Sequence, residues 1–535
     1  MSGAGQPPGV VRGTLRLLSR GELWLLLLVS AWSVTLLVAL LVRAHDSGLV
    51  FIGADSRAPG DQLQYLAWIR DAGRHGLAAN LYGFGQPARV FLHPMWLLSG
   101  LAVAAGAGPA VSLLIWKPVA VVLLFVAVRA YVRRLVPGRW PPRLAMLLAL
   151  FYYPPVQTFV SQTGIGVTRQ HVETALRNDL LPAFQLWGYL PAAIAIALTA
   201  LTLLATEKAL DPRRRSPGKG SAWYAAWAAA AGLTAAWLHP WEGETLAVVL
   251  VGLLVWDVRR RARLVPLLAV LGATVAPLIY YYVLSRANAS WALAARQADF
   301  IRSSDLPVVG LGLAPLAVPA LLGARGRALD VQERMLRLWP LATAVIYFVV
   351  RPPYPLHAFA GVAIPLSVLA VRWFTSIGDR LGRARAWLAA AAILALVGSC
   401  LPFAFQTVHR ALSGDYDLTL LKPGDANALR YIAAAPGPGG VLTSGALGYA
   451  VPGMTGRETW VGHPVWTPDA ATRNALAGAL FSGALTPSAG EALVRRIGAR
   501  FVLEPCGSVA SLATPLAALG YRPRSFGCAT VYQAQ

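Results

Sequence analysis

The stretch LWLLLLVSAWSVTLLVALLVRA, residues 23–44, decides the fold of this chain. A helix of about 20 apolar residues crosses the hydrocarbon core of a bilayer, and this run is long enough to do so. Arg12, Arg16 and Arg20 precede it, and no small-residue cleavage site follows directly. We therefore interpret it as an uncleaved helix with a cytoplasmic N-terminus rather than a signal peptide. Residues 45–91 should then form a loop on the outer side of the membrane.

The composition of the whole chain agrees with a membrane protein. Of its 535 residues, 56% are hydrophobic and 13% are charged, and the mean hydropathy is +0.54. Soluble domains carry about 25% charged residues, so a water-soluble protein of this length could not cover its surface with so few charges. Lipid is the natural solvent for the surplus apolar surface.

The net charge of +23 could indicate a nucleic-acid partner, but the positions of the basic residues argue against one. Roughly half of the Lys and Arg residues lie in short patches between apolar runs, which is the pattern of cytoplasmic loops. The charge therefore reports membrane topology. The patches are residues 12–20, 129–143, 208–219, 259–263, 325–337 and 372–385.

Placing every basic patch on the cytoplasmic side predicts a polytopic α-helical membrane protein with about eleven spans. Residues 93–107 are short for a span, and an odd number of crossings must precede the patch at 129–143. We therefore expect residues 93–107 to form a re-entrant or interfacial helix rather than a span. The predicted spans lie near 23–44, 110–128, 143–160, 187–206, 221–238, 241–256, 264–284, 307–323, 338–350, 357–373 and 387–405.

The chain changes character after residue 405. Short β-branched runs such as GGVLTSG and ARFVLEPC alternate with helical stretches at 470–480 and 489–497, which is typical of an α/β domain. We predict a transmembrane domain over 1–405 and an extracytoplasmic α/β domain over 406–535. Cys506 and Cys528 could be buried thiols, but an oxidising outer compartment favours a disulfide between them.

The first outer loop contains a helical segment with an acidic residue near its start. Asp61, Tyr65 and Ile69 share one face of that segment by their i, i+4 spacing, and Asp61 follows Pro59 and Gly60. A carboxylate at this place could cap the helix N-terminus or act as a general base toward a substrate hydroxyl. The spacing alone leaves both interpretations open.

Further polar residues fall in the predicted outer loops, mostly where a loop meets a span. Each one alone could be a junction residue in contact with headgroups or water, but ionisable groups at membrane depth are costly unless they are used. Together they could line a cavity that holds a phosphate on Arg or His and a hydroxyl on a carboxylate. The candidates are Asp55, His93, Arg169, His171, Glu173, His239, Glu242, Glu244, Arg351 and His357.

Other chemistries find less support in the sequence. His171 with Glu173, or His239 with Glu242, could bind a divalent cation through nitrogen and oxygen ligands. No Walker A sequence occurs, which argues against ATP-driven pumping by this chain. No GxSxG, HExxH or CxxC sequence occurs either, so the motifs of several common hydrolases and metal sites are missing.

The order of these features resembles the GT-C superfamily of membrane glycosyltransferases, which includes protein O-mannosyltransferases and aminoarabinose transferases. The sequence DQLQY, residues 61–65, is similar to their Asp-Glu-x-x-Tyr loop motif and departs from it at Gln62, where many members carry a second acid. The Pro-containing segment FLHPMWLLSG and the tail segment VPGMTGRETWVGHP also look like parts of such proteins. The layout resemblance covers most of the chain.

The resemblance implies an inverting transfer of a sugar from a polyprenyl-phosphate donor to a hydroxyl of a glycan, lipid or protein acceptor. It would take place on the outer face of a bacterial cell membrane, without nucleic acid. Asp61 would be the catalytic base, with Asp55 in reserve. The other candidates are assigned by their predicted outward position rather than by a matched motif. Those to contact substrate are Tyr65, His93, Glu173 and Glu242, and those to stabilise the leaving phosphate are Arg169, His171, His239, Arg351 and His357. A transporter or flippase for a lipid-linked envelope precursor is the alternative function.

Overall fold

The computed structural model describes residues 18–85, 87–155, 176, 178–210, 220–257, 264–297, 306–325, 330–381, 383–414, 418–510 and 512–535. Up to residue 413 these residues are mostly helical. The elements are α1 (Arg20–Asp46), β1 (Val50–Phe51), α2 (Pro59–His75), α3 (Pro94–Ala104), α4 (Pro109–Leu114), α5 (Trp116–Leu135), α6 (Pro141–Phe151), α7 (Leu190–Leu210), α8 (Ser221–Leu238), α9 (Pro240–Asp257), α10 (Leu264–Ala287), α11 (Ala289–Gln297), α12 (Leu306–Gly323), α13 (Val331–Val345), α14 (Ala363–Leu381), α15 (Arg383–Gly398) and α16 (Cys400–Ser413).

Six helical segments of the described chain are long and apolar enough to cross a membrane. They are Arg20–Asp46, Pro109–Leu135, Leu190–Leu210, Leu264–Ala287, Pro355–Ile377 and Ala390–Ser413. The outer surface of helix α1 is apolar, and its exposed side chains include Leu23, Trp24, Leu27 and Val38. Helices that are this long and that expose this many large apolar side chains are suited to lipid rather than water, so the chain is a multi-pass membrane protein.

The remaining predicted spans coincide with helices, but the count of eleven stays a prediction. Helices α6, α8, α9 and α12 occupy 143–160, 221–238, 241–256 and 307–323 in whole or in part. The helix predicted at 338–350 begins earlier, at Val331, because the Asp330 carboxylate accepts a hydrogen bond from the Glu333 amide and caps it. Part of the basic patch at 325–337 is therefore helical.

Basic patches from distant parts of the chain meet at one end of the helices. Arg129 and Arg133 contact the buried carboxylate of Glu22, at the start of α1. Arg372 donates to Glu333 at 2.6 Å and to the Leu135 carbonyl. Residues within the patches at 129–143, 325–337 and 372–385 thus contact one another, and the first of these patches also contacts the first turn of α1, as a shared cytoplasmic face would require.

The first loop begins at the other end of α1, and its helix α2 packs tightly on α3. A Cβ added to Gly73 would lie 2.4 Å from the Gly100 carbonyl oxygen, and one added to Gly100 would lie 2.5 Å from the Gly73 nitrogen. Only glycine at both positions lets the two backbones come this close. The contact fixes α2, and with it Asp61, against the segment predicted to be re-entrant.

The C-terminal residues combine helices with a mixed sheet, as predicted for an α/β unit; a domain boundary at residue 405 stays a prediction. The strands of this sheet lie in the order Val441–Leu442, Phe501–Glu504, Ala529–Ala534 and Tyr521–Phe526, with the first pair parallel and the other pairs antiparallel. The structure joins Cys506 and Cys528 in a disulfide, which packs beneath Gly424. The elements are β2 (Leu420–Leu421), α17 (Pro423–Ala434), β3 (Val441–Leu442), α18 (Gly445–Gly448), α19 (Ala450–Thr455), α20 (Ala470–Phe481), α21 (Pro487–Ile497), β4 (Phe501–Glu504), α22 (Ala513–Ala518), β5 (Tyr521–Phe526) and β6 (Ala529–Ala534).

The C-terminal part is fastened to the first loop along several contacts. Strands β1 and β2 pair antiparallel, with Val50 opposite Leu421. The Tyr82 hydroxyl donates to the Tyr449 carbonyl at 2.9 Å, and the Asn80 amide donates to the Trp466 carbonyl at 2.9 Å. These bonds bring the tail segment at 449–466 directly over α2.

Candidate active site

A cavity of about 1690 Å³ lies between the first loop, the C-terminal part and the junctions of several helices. A volume of this size exceeds that of most small-molecule pockets, which run to about 1,000 Å³, and it suits a large or composite substrate. Its wall includes Asp61, Gln64, Tyr65, Trp68, His93, Trp96, Tyr189, His239, Trp241, Glu244, Tyr281, Arg286, Trp291, Arg296, Tyr347, Arg351, Tyr354, His357, Tyr449, His463 and Trp466.

Asp61 is the carboxylate in this wall that belongs to the first loop. Helix α2 begins at Pro59 with Ala58 in the N-cap position, and no side chain caps it. The capping interpretation of Asp61 is therefore not what the structure shows. Its carboxylate instead accepts a hydrogen bond from the Tyr189 hydroxyl at 2.6 Å and contacts His463 Nε2 at 3.1 Å. The Asp61 side chain retains 39% of its accessible surface, and the residue lines the cavity.

The contact from His463 has a defined direction. The backbone N–H of Val465 donates to His463 Nδ1 at 3.2 Å, so in the neutral imidazole the proton sits on Nε2, which faces Asp61. The ring is almost fully buried between the rings of Tyr82 and Tyr449, at centroid distances of 5.9 and 5.6 Å. The imidazole thus holds one oxygen of Asp61 in place and leaves the carboxylate free to act as a base.

Tyr189 reaches Asp61 because of the glycine that precedes it. Gly188 has φ +99°, and a Cβ there would lie 2.5 Å from the side chain of Gln62. Any other residue would be strained and would clash with α2. This turn before α7 brings the tyrosine hydroxyl against the carboxylate.

The surroundings of Asp61 set its protonation state. Burial raises the pKa of the carboxyl group, but the hydrogen bonds that it accepts from His463 Nε2 and the Tyr189 hydroxyl lower that pKa by more. The net effect is a pKa below the ordinary value. Asp61 is therefore a carboxylate throughout the neutral range, ready to accept a proton.

A second group of polar side chains lies where α9 begins and before α14. His239 Nδ1 contacts the Glu242 carboxylate, and His357 Nδ1 lies 3.0 Å from Asp179 Oδ1. The two imidazole rings meet edge to face at 5.4 Å. A carboxylate engages Nδ1 of each ring, so Nε2 carries a lone pair in the neutral imidazole and becomes a second N–H donor when the ring is protonated. In the protonated form the pair is suited to binding an anion.

The predicted substrate residues of the loop form an aromatic wall between these two groups. Tyr65 stacks on Trp96 with ring centroids 4.7 Å apart, and the His93 ring also stacks on Trp96, at 4.7 Å. His93 accepts from the Trp96 amide and contacts the Leu238 carbonyl at 3.2 Å. Burial lowers the pKa of His93 to about 3, so it is a neutral wall residue rather than a cation.

Arg351 lies at the rim of the cavity and is exposed. Its backbone is left-handed, with φ 51°, and its Nε donates to the Phe348 carbonyl at 2.9 Å. Arg286 and Arg296 also line the cavity. The three arginines therefore bring positive charge to the wall of the cavity.

Asp55 does not line the cavity. It is fully buried, its Oδ2 lies 2.6 Å from Lys117 Nζ, and its Oδ1 accepts from Gln62 Nε2 at 3.0 Å. The same lysine donates to the Ser33 and Leu186 carbonyls. This buried ion pair joins α1, α5 and the turn before α7 behind Gln62, the neighbour of Asp61.

The structure thus brings Asp61, Tyr65, His93, His239, Arg351 and His357 to one cavity. Glu242 is buried and does not line the cavity, although it contacts His239. Glu244, two residues later, does line the cavity. Arg169, His171 and Glu173 lie outside the described residues. No group of three or more His, Cys, Asp or Glu side chains is placed to hold a metal ion within the part of the chain that the structure describes.

Sequence reasoning missed His463, Tyr189 and Asp179. His463 stands 402 positions after Asp61, and the only signal was its place in the tail segment VPGMTGRETWVGHP. Tyr189 sits at the first turn of a span, where interfacial tyrosines are ordinary. Neither position had a spacing that could link it to Asp61.

No protein-family profile matches the chain, and no curated protein matches its sequence. Its structure is similar to that of the oligosaccharyltransferase AglB from Archaeoglobus fulgidus, solved with an inhibitory peptide and a dolichol-phosphate (TM-score 0.53, 12% identity, 96% of this chain and 74% of that one). It is also similar to ArnT from Cupriavidus metallidurans (TM-score 0.52, 14% identity, 98% of both chains). A third similar structure is the mycobacterial arabinofuranosyltransferase AftD (TM-score 0.51, 15% identity, 96% of this chain and 42% of that one). These neighbours are GT-C glycosyltransferases, and the chain has their fold.

Proposed function

We propose that this GT-C-fold protein is an inverting glycosyltransferase that moves a sugar from a polyprenyl-phosphate donor to an acceptor hydroxyl. The observation that carries the proposal is the Asp61 carboxylate, which Tyr189 and His463 hold in the wall of a cavity. The same wall bears two histidines, each in contact with a carboxylate. A base for the acceptor and donors for a leaving phosphate are the two groups that this reaction needs.

The reaction assigns one role to each group. Asp61 takes the proton from the acceptor hydroxyl as its oxygen attacks the anomeric carbon from the face opposite the phosphate. The new carbon–oxygen bond forms while the bond from the anomeric carbon to the phosphate oxygen breaks, and that electron pair leaves with the polyprenyl phosphate. Attack from the opposite face inverts the anomeric configuration.

The leaving phosphate gains negative charge as the bond breaks. In the proposal His239 and His357 act as imidazolium ions, whose Nδ1–H donates to the adjacent carboxylate and whose Nε2–H donates to the phosphate oxygens. Arg351 at the rim donates to the same phosphate. Donors that are already oriented stabilise such charge without reorganising during the reaction. Glu242 and Asp179 act through the histidines, which makes them positioning residues.

The proposed orientation puts this cavity on the outer face of a bacterial plasma membrane, with the N-terminus in the cytoplasm. The contacts among the basic patches at the start of α1, and the first loop at its other end, support that orientation. A lipid-linked donor suits an outward site, since nucleotide sugars remain in the cytoplasm. Transfer by the purified protein from a polyprenyl-phosphate sugar tests the proposal.

The contact between His463 and Asp61 should affect how kcat depends on pH. Because His463 helps to lower the pKa of Asp61, His463→Phe should raise that pKa. The base then protonates at a higher pH, so the acidic limb of kcat against pH should move upward, whereas the wild-type limb lies below the ordinary Asp value of about 4. Phenylalanine keeps the ring packing between Tyr82 and Tyr449.

The measurement is the pH–rate profile of both proteins at saturating substrate. His463→Gln, which can still donate to Asp61, should lie between them. If the acidic limb of His463→Phe coincided with that of the wild type, His463 would have no influence on the base.

A further inference from the structure

Gln64 has an unusual place in the wall of the cavity. It lies one turn after Asp61 on α2, so the two side chains share a face of the helix. Its side chain is 1% exposed and lines the cavity. Neither its amide nitrogen nor its amide oxygen has a hydrogen-bond partner among the described residues.

A buried amide without partners destabilises a folded protein, because it gave up its hydrogen bonds to water. A Met or Leu side chain of similar size would fill the same space without that cost. The amide has one oxygen that accepts and one NH₂ group that donates. Because this side chain follows a catalytic base on α2 and belongs to the wall of a substrate cavity, we attribute its two unpaired groups to a ligand that supplies both an acceptor and a donor.

The side chains around Gln64 narrow the class of that ligand. Trp68 follows one turn later on α2, stacks with Trp291 at 5.9 Å and meets Trp466 edge to face at 5.3 Å. All three rings line the cavity. The face of an aromatic ring is electronegative, and the C–H groups on one side of a sugar ring are weakly electropositive, so the two pack well.

We propose that the Gln64 amide binds two neighbouring hydroxyl groups of a sugar ring, which packs against the aromatic side chains beside it. The amide oxygen accepts from one hydroxyl, and the NH₂ group donates to the other. This inference rests on the proposed glycosyl transfer and names part of its specificity. The ring is either the transferred sugar or a sugar of the acceptor. The two cases differ in which deoxy substrate, the donor or the acceptor, the enzyme discriminates against.

The test compares Gln64→Met with a matched control. Gln332 on α13 is also fully buried, and both of its amide atoms lack partners among the described residues, but it is not among the residues that line the cavity. Both Met variants should unfold at the wild-type temperature or above it, because each removes an unpaired buried amide. Only Gln64→Met should lose kcat/KM, by at least about tenfold.

The assay uses purified full-length protein with polyprenyl-phosphate mannose or arabinofuranose as donor and the corresponding methyl glycosides as acceptors. Each sugar is supplied with and without its 2-hydroxyl group. The wild type should discriminate against one deoxy substrate, and Gln64→Met should lose that discrimination. A deoxy donor as the sensitive substrate assigns the transferred sugar, and a deoxy acceptor assigns the acceptor sugar.

Two results would overturn the inference. One is an equal kcat/KM for Gln64→Met and Gln332→Met when the wild-type protein itself transfers sugar. The other is a lower unfolding temperature for Gln64→Met, which would show that the amide has a structural partner. A wild-type protein that glycosylates a peptide but no sugar, with Gln64→Met unimpaired, would count against it in the same way. Absence of any transfer by the wild type would instead contradict the proposed function itself.

Discussion

Asp61→Asn is expected to lower kcat by about 10²–10⁴-fold, the contribution of a positioned general base. Asparagine has nearly the same shape, and its side-chain oxygen can still accept a hydrogen bond from Tyr189, but it cannot take a proton. Because the change is small and Asp61 lies in a cavity wall rather than in the core, the variant should insert and accumulate normally. The measurement is sugar transfer by equal amounts of purified wild-type and variant protein.

Asp469→Asn is the matched control for this experiment. Asp469 is exposed and has a left-handed backbone, with φ 48°, which asparagine tolerates. It should transfer sugar at the wild-type rate. Full activity of Asp61→Asn would remove Asp61 from the mechanism, whatever its place in the cavity.

The second large effect concerns stability rather than catalysis. Lys117→Met should destabilise the protein by about 3–5 kcal/mol, the usual cost of removing one partner of a buried ion pair. The Asp55 carboxylate would remain in a site with no exposure, with the Gln62 amide as its contact, and the Ser33 and Leu186 carbonyls would lose their donor. We expect a lower unfolding temperature in detergent and reduced accumulation in the membrane.

A double variant separates the buried charge from the lost packing. Asp55→Asn combined with Lys117→Met removes the charge that the single change leaves unpaired, so it should recover part of the lost stability. Lys208→Met, at an exposed lysine, should leave the unfolding temperature unchanged. A Lys117→Met protein as stable as the wild type would show that the pair does not hold the first loop in place.

The contrast between Asp55 and Asp61 shows what sequence alone could not decide. Both are acidic residues of the same loop, six positions apart in the printed sequence, and each was a candidate base. The difference comes from Lys117, which lies in the second predicted span and reaches back to Asp55. No local spacing connects a lysine in a span to an aspartate in a preceding loop, so this pairing required the three-dimensional structure.

Local patterns did predict the features that depend on local physics. The apolar runs at 23–44, 110–128 and 264–284 fall within three of the candidate spans, because hydropathy over about 20 residues determines whether a helix can cross a bilayer. The i, i+4 spacing placed Asp61 and Tyr65 on one helix, and both line the cavity. The fold that the GT-C resemblance implied is also the fold of the structural neighbours.

Long-range contacts made the rest of the site unpredictable. His463 meets Asp61 because two-residue strands and single hydrogen bonds fasten the C-terminal part to the first loop. Strands as short as Val50–Phe51 and Leu420–Leu421 have too few residues for a period-2 pattern to stand out. The residues that tune the base were therefore hidden, although the base itself was a candidate.

A choice of donors, offered to the purified protein, tests the proposed reaction most directly. We expect a polyprenyl-phosphate sugar to support transfer and the corresponding nucleotide sugar not to do so, and we expect NMR to show an inverted anomeric configuration in the product. Transfer from the nucleotide sugar, or a product with retained configuration, would contradict the proposed reaction at the Asp61 cavity.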